Sequence, residues 1–329
     1  MSPGGEEGAR GAEEADGGAR AAPGRDPSFE LCGVRLRGPV LNGSGTFDVI
    51  AARRAFGDAL IERFPFDAFI SKTITAEPRQ GNPPPRLWET PCGLINSIGL
   101  PNKGLAGYLK HDLPQLAELP VPLIVNVMGS TREDVVRLVS AFAERDEVAA
   151  LELNVSCPNV KTGLVMGADP VELAGLLDAV RPRTDKPLIV KLTPNCASPA
   201  DVAAAAEQHG ADAVSLINTL RGMAIDPHRP GQPWLGGGTG GVSGPAVRAI
   251  ALSQVREVRQ RVALPIIGMG GVQTGRHAID LSGVGADLIG VGTESFRDPL
   301  AAARIAAEAA AADEAFPANA TPSMEVVRH

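Results

Sequence analysis

The sequence predicts an α/β fold: a single closed (β/α)8 TIM barrel with an N-terminal hairpin and long βα loops on its C-terminal face. Three observations carry this prediction. Short apolar runs alternate with helix-like runs from about residue 40 onward, and there are eight such apolar runs. They are short, predominantly apolar and partly β-branched, as strands buried on both faces should be. Each of them closes on a polar residue or a glycine-rich turn.

Taken in order, Phe29–Arg37 reads as a small hairpin, with Gly33 where its turn needs it. The strand runs are Pro39–Asn42, Ala68–Lys72, Leu123–Val127, Ala149–Val155, Leu188–Leu192, Ala213–Asn218, Pro265–Met269 and Asp287–Val291. Helical patterns lie between most of them. Thr131–Arg145 opens on a candidate cap, Thr131, with Asp134 three positions on. Pro170–Val180 has Pro near its start, where a missing N–H costs nothing. Ser198–His209 stops at Gly210, a natural residue to follow a helix. Ala246–Val262, Thr274–Val284 and Pro299–Ala312 complete the series. Eight strands alternating with helices argue for closure into a barrel. The competing architecture, an open doubly wound sheet, usually has fewer strands and an edge strand of different character.

Two connections are too long for simple βα loops. Thr73–Tyr108 is rich in Pro, Gly and Asn, and Thr219–Gly244 contains the run Gly236–Gly241. Both follow a strand, so both belong on the C-terminal face, where barrel enzymes do their chemistry.

The 329 residues suit one large barrel or two ordinary domains, and 44% hydrophobic residues suffice for a sizeable core. A formal net charge of −7 leaves no basic footprint for nucleic acid. No stretch approaches the roughly 20 apolar residues of a membrane span. Residues 1–26 are rich in Gly, Ala, Glu and Arg, with no apolar core of a signal peptide. The expectation is a disordered extension over 1–26, a catalytic barrel over 27–312 and a flexible tail over 313–329. The four cysteines, Cys32, Cys92, Cys157 and Cys196, are far apart and form no C-x-x-C pair. They read as reduced thiols of a cytoplasmic protein, and the sequons at Asn42, Asn154 and Asn319 as chance matches. No cysteine or histidine cluster suggests zinc or an iron–sulfur centre, so no metal is expected.

The strand ends hold the chemistry. They carry Ser44, Lys72, Asn126, Asn154, Lys191, Asn218, Gly270–Gly271 and Gly292–Thr293. One Asn after a strand is ordinarily a turn former; eight polar or glycine ends on one face point to a ligand site. The turns Gly268–Gly271 and Val291–Thr293 follow the last two strands, where barrels commonly bind phosphate through close backbone N–H groups. The cofactor is therefore expected to carry a phosphate. The run Gly236–Gly241 contains G-x-G-x-x-G, but no strand precedes it and no helix opens on it, so it is no dinucleotide fingerprint.

Cys157 lies just past the fourth strand in Asn154-Val155-Ser156-Cys157-Pro158-Asn159. A thiol can serve there as general base or as nucleophile. The histidines, His111, His209, His228, His277 and His329, show no placement at strand ends that would make a partner for a nucleophile. Spacing alone leaves both roles open. Lys72 and Lys191, ending strands two and five, could be Schiff-base nucleophiles or cations facing an anionic cofactor. A phosphate site and many Asn suit the second role better.

The loop Asn154–Asn159 resembles the catalytic loop of class 1 dihydroorotate dehydrogenases. So do Gly81-Asn82-Pro83-Pro84-Pro85-Arg86, Asn96-Ser97-Ile98-Gly99-Leu100-Pro101-Asn102, Lys191-Leu192-Thr193-Pro194 and Asn218-Thr219. The resemblance covers roughly residues 29–310. It implies an FMN-containing barrel that oxidises dihydroorotate to orotate in pyrimidine synthesis. Cys157 is then the base that removes the C5 proton, while the C6 hydride goes to the flavin. Lys72, Asn96, Ser97, Ile98, Gly99, Leu100, Asn154, Asn159, Asn218 and Thr219 resemble the substrate-binding set. Ser44, Lys72, Thr73, Asn126, Asn154, Lys191, Ile217, Gly244, Gly270, Gly271, Gly292 and Thr293 resemble the FMN set. Asn amides both donate and accept, so they can read a planar, amide-rich ring without adding charge.

Class 1 has two types: a homodimer that reduces fumarate, and a chain paired with a second subunit carrying FAD and a [2Fe-2S] cluster that reduces NAD+. The stretches Asn218–Asp226 and Gly241–Pro245 look more like the second type, B. That resemblance implies a homodimer core or a heterotetramer with an electron-transfer subunit. The dihydropyrimidine dehydrogenases have a similar loop, usually with His where this chain has Asn159. A non-catalytic flavin-binding barrel or assembly module, and a Schiff-base aldolase using Lys191, are the remaining alternatives.

Overall fold

The structure is a computed structural model that describes residues 29–156 and 167–315. Its central sheet has eight parallel strands, one from each predicted apolar run. They are β1 (Val40–Asn42), β2 (Phe69–Ile70), β3 (Leu123–Val127), β4 (Ala150–Asn154), β5 (Leu188–Lys191), β6 (Ala213–Leu216), β7 (Ile266–Met269) and β8 (Leu288–Val291). The ladders run β1-β8-β7-β6-β5-β4-β3-β2, so neighbours in sequence are neighbours in space, with β8 returning to β1. That is the wrapped order of a barrel rather than of an open doubly wound sheet.

The last seam, between β1 and β2, is closed largely by side chains. Asn42 donates through Nδ2 to the Ile70 carbonyl at 2.8 Å and accepts from the Ile70 N–H through Oδ1 at 2.7 Å. Its side-chain amide thus does the work of a peptide. One residue pair earlier, the Asp67 N–H donates to the Val40 carbonyl, and the Val40 N–H donates to Asp67 Oδ2.

Strand periodicity sorts side chains onto two faces. The outward set, including Val125, Leu151, Leu153, Val190 and Val214, packs beneath the helices in the larger core cluster. The inward set begins with Leu41, Ile70, Ile124, Ala150, Ile189, Ala213, Ile267 and Leu288. The N-terminal hairpin, Glu30–Leu31 paired with Val34–Arg35, adds Leu31 and Leu36 to this inner cluster and plugs that end of the barrel. Both of its turn residues have positive φ, Cys32 at 50° and Gly33 at 84°, as a type I′ turn requires.

The predicted helices form where their caps allow. Thr131 and Asp134 make a reciprocal capping box before Arg132–Ala143. Asp169, Ser198 and Thr274 cap Pro170–Val180, Pro199–Gln208 and Gly275–Gly283 through their side chains. The last helix, Ala301–Ala315, runs three residues past the predicted end. Arg248–Arg259 completes the series. No helix among the described residues is long and apolar enough to cross a membrane.

The sequence reading missed two features. Helices at Val49–Phe56, Ala59–Glu62 and over 104–116 were not foreseen. The last contains Gly104, Gly107 and Pro114, which read as loop residues. The two long connections are also more than loops. They contribute Leu87–Thr90, Gly93–Asn96, Leu220–Gly222 and Gly240–Ser243 to one four-stranded antiparallel sheet. Gly241 pairs with Asn96 and Val242 with Ile95, joining segments far apart in the chain. Trp88 and Trp234 meet edge to face at 5.4 Å beside it.

Candidate active site

The C-terminal ends of the strands surround a cavity of about 540 Å³, within the usual range of roughly 300–1,000 Å³ for small-molecule sites. Its floor follows from the barrel's interior alternation. Above the apolar layer, the inward positions become Asn126, Glu152 and Ser215, all fully buried. One step higher on the same faces come Asn154 and Ile217, which line the cavity together with Lys191.

Most of the predicted site residues meet here. Ser44, Lys72, Thr73, Asn96, Ile98, Leu100, Asn154, Lys191, Ile217, Asn218, Thr219, Gly244, Gly270, Gly271, Gly292 and Thr293 all line the cavity. Three described ones do not. Ser97 is buried, its Oγ accepting from Asn82 Nδ2 at 2.9 Å. Gly99 has φ +74°, and an added Cβ would come within 2.4 Å of the Asn82 nitrogen, so it shapes the loop. Asn126 is buried beneath the floor, its Nδ2 donating to Glu152 Oε2. Cys157 and Asn159 lie outside the described residues. Ser156, the residue before Cys157, lines the cavity, and its Oγ accepts from Asn218 Nδ2 at 2.8 Å.

Hydrogen bonds tie the polar lining into one network. Asn218 Nδ2 also approaches Asn154 Oδ1 at 3.4 Å, and Asn154 Nδ2 donates to Thr73 Oγ1 at 3.3 Å. Ser44 Oγ donates to the Ser71 carbonyl at 2.7 Å and lies 3.5 Å from Thr73 Oγ1. The described lining includes Lys72 and Lys191 and no carboxylate, so its electrostatic character is cationic. Lys191 is only 5% exposed, and its ammonium makes no hydrogen bond among the described residues.

The glycine turns form a close-walled corner. Gly271 has φ +70°, and a Cβ there would lie 2.7 Å from the Gly244 carbonyl oxygen. Gly270 has φ +140°, and its Cβ would fall 2.6 Å from that of Ala251. Beside them Thr293 Oγ1 donates to Ser243 Oγ at 2.9 Å. Such a corner brings backbone and hydroxyl donors within reach of an anion's oxygens.

Sequence reasoning missed several lining residues: Gly43, Gly45 and Thr46 after β1, Met128 after β3, Ser243, and the exposed Leu87 and Phe296 at the mouth. The run Gly43-Ser44-Gly45-Thr46 was readable as a tight turn at a strand end. Leu87 and Phe296 gave no sequence signal, because an isolated surface apolar residue is ordinary. A second cavity, about 450 Å³, shares Gly45, Lys72 and Thr73 with the first and lies against helix Val49–Phe56 and Tyr108. Burial pushes the Tyr108 phenol well above its ordinary pKa, so it stays protonated there.

The comparisons with known proteins agree on one family. A family model described as dihydroorotate dehydrogenase matches residues 28–312. A dihydroorotate dehydrogenase B (NAD(+)) catalytic subunit of Geotalea uraniireducens is 44% identical over 283 residues, covering 85% of this chain and 91% of the relative. The protein of the same name from Geotalea daltonii is 45% identical over 284 residues, 86% of this chain and 91% of the relative. That of Anoxybacillus flavithermus is 44% identical over 282 residues, 85% and 89% respectively.

Proposed function

This chain belongs to the dihydroorotate dehydrogenase family, and from that premise we propose that its cavity binds FMN and dihydroorotate together, with Cys157 as the base. It is an oxidoreductase acting on dihydroorotate in pyrimidine biosynthesis. The observation that carries the site reading is the composition of the cavity: two lysines, a ring of amides and hydroxyls, no described carboxylate, and a glycine corner at the ends of β7 and β8.

The described residues fit a flavin mononucleotide on chemical grounds. Gly270, Gly271, Gly292 and Thr293 form a glycine-rich corner suited to a phosphate, where a Cβ at Gly271 would collide with the Gly244 carbonyl oxygen. Lys191 brings a buried cation without a protein partner among the described residues, suited to the negative charge that a reduced flavin carries. When bound, FMN supplies the hydride acceptor.

The chain's own groups do the rest. Asn96, Asn154 and Asn218 hold the amide-rich substrate ring by donating and accepting at its edge. Lys72 faces the substrate carboxylate from the same wall. Cys157, joined to the cavity-lining Ser156, takes the C5 proton as a thiolate. Closely packed loop residues, among them Ser97 and Gly99, hold the segment Asn96–Leu100 in shape.

The relatives are named catalytic subunits of the B (NAD(+)) type, which supports a partner subunit here; the family resemblance implies that it carries FAD and a [2Fe-2S] cluster around a homodimer core or in a heterotetramer. Leu87 and Phe296, 53% and 59% exposed, place apolar surface at the cavity mouth where such a partner would receive electrons. The free thiols Cys32, Cys92 and Cys196 suit a reducing, cytoplasmic setting.

The test is anaerobic titration. The purified chain, loaded with FMN, should show the flavin band near roughly 450 nm, a property of flavins in general. Dihydroorotate should bleach it. A chain that takes up no FMN, or a bound flavin that dihydroorotate leaves oxidised, overturns the reading. Affinity capture of the tagged chain tests the partner, which should arrive with FAD and iron.

A further inference from the structure

We propose that Glu152 is a positioning residue, a buried carboxylate one layer below the site that orients Asn126 and sets the electrostatic potential beneath Lys191. The inference rests on the flavin reading above and deepens it.

Its basis is the second interior layer. Barrel interiors are ordinarily filled with bulky branched apolar side chains. Here Asn126, Glu152 and Ser215, from β3, β4 and β6, occupy that layer with no exposure to solvent. Glu152 Oε1 accepts from Ser215 Oγ at 2.6 Å, and Oε2 accepts from Asn126 Nδ2. Burying a carboxylate is costly unless charge and hydrogen bonds compensate it. Two neutral donors supply the hydrogen bonds, and the one buried cation among the described residues is Lys191. The register pairs Lys191 with Ser215 on one side and Asn154 on the other. Glu152 lies two residues before Asn154 on the same face of β4, about 7 Å lower by strand rise. No other lysine is this deeply buried among the described residues.

Two consequences follow. Glu152 Oε2 accepts here, so Asn126 turns its NH2 toward Glu152 and leaves Oδ1 facing elsewhere. That Oδ1 is buried and has no hydrogen-bond partner among the described residues. The negative charge also offsets part of the field of Lys191, holding the flavin harder to reduce than the lysine alone would leave it.

The experiment measures the midpoint potential of bound FMN and its dissociation constant in the full-length chain. Glu152→Gln keeps the volume and removes the charge. At a fixed poise the ratio of reduced to oxidised flavin should rise about tenfold, or about 30 mV for two electrons. Glu152→Asp, which keeps the charge, should restore most of the wild-type ratio. A Glu152→Gln chain that loses thermal stability while its flavin potential stays at the wild-type value overturns the proposal and leaves Glu152 a packing residue. Should Glu152→Gln fail to fold, Ser215→Ala carries the test. It withdraws one donor from the carboxylate and should shift the ratio the opposite way, about threefold toward oxidised; an unmoved ratio there overturns the proposal equally. Wild-type chain that binds no FMN would instead sink the flavin reading, an outcome visible before any variant is made.

Discussion

Replacing Asn42 by Ala should open the weakest seam of the barrel. β1 and β2 are three and two residues long, and they share no regular ladder. Two of the bonds between them come from one side chain, the pair between the Asn42 amide and the Ile70 peptide at 2.8 and 2.7 Å. Asn42 is fully buried, and so is Ile70. Truncation therefore leaves a buried N–H and a buried C=O unpaired, at about 1–3 kcal/mol each. The sum is roughly 2–6 kcal/mol, centred near 4. For a domain of this size about 2–4 °C of melting temperature follows each kcal/mol, so Asn42→Ala should melt roughly 8–16 °C lower. Differential scanning calorimetry of the FMN-free chain, with urea unfolding as a second probe, measures it. Asn42→Asp should give no rescue, because it keeps the acceptor for the Ile70 N–H but turns a carboxylate oxygen on the Ile70 carbonyl. A loss under about 2 °C for Asn42→Ala would refute the claim that this amide closes the barrel.

Gly271→Ala should weaken FMN binding tenfold or more, since its Cβ would stand 2.7 Å from the Gly244 oxygen at φ +70°; fluorescence titration with FMN reads it, and an unchanged constant refutes the glycine corner as the phosphate site. Cys157→Ser should slow flavin reduction by dihydroorotate about 10²-fold or more, with FMN uptake intact in stopped-flow and titration. Cys32 should make stability fall at high pH. Burial first, then the charges of Asp212 and Glu30, raise its thiol from 9.0 to about 11. A raised pKa favours the protonated form in the fold, so that contribution is whole below pH 9.0 and disappears as pH climbs through about 11. Urea midpoints across that window should fall less steeply in Cys32→Ala than in wild type, and parallel slopes would refute the assignment.

The eight strands were legible because each is largely buried, so apolar residues dominate runs such as Leu188–Lys191 up to their polar ends. Helices were legible where a side chain caps them, as Thr131 does. What escaped depends on distant partners. Gly240–Ser243 is a strand only because Gly93–Asn96 and Leu220–Gly222 lie on either side of it. A short stretch containing two glycines carries no such signal by itself. In the site, the strand-end residues stood out, whereas Glu152 did not, although it sits in the open in Ala150-Leu151-Glu152-Leu153-Asn154. Its signal was parity. Once Asn154 is taken to face the barrel mouth, period-two alternation puts Glu152 inside as well, and a carboxylate inside a barrel needs partners.

The same parity explains why such a site depends on packing that never touches a ligand. Each strand of four or five residues offers only two or three inward positions. Ile124 and Asn126, Ala150, Glu152 and Asn154, Ile189 and Lys191, Ala213 and Ser215 are those positions on four adjacent strands. The lower members form the apolar plug with Leu31 and Leu36 of the hairpin. The upper members carry the polar chemistry. A slip of one residue in any ladder would exchange Lys191 for Val190 or Asn154 for Leu153, side chains now packed beneath the helices. The apolar lower layer has a large cost for such a slip, because it would turn Ile124, Ile189 or Ile267 out of the inner core. The register that places the lysine and the amides is therefore enforced one layer below them, by residues that meet neither flavin nor substrate.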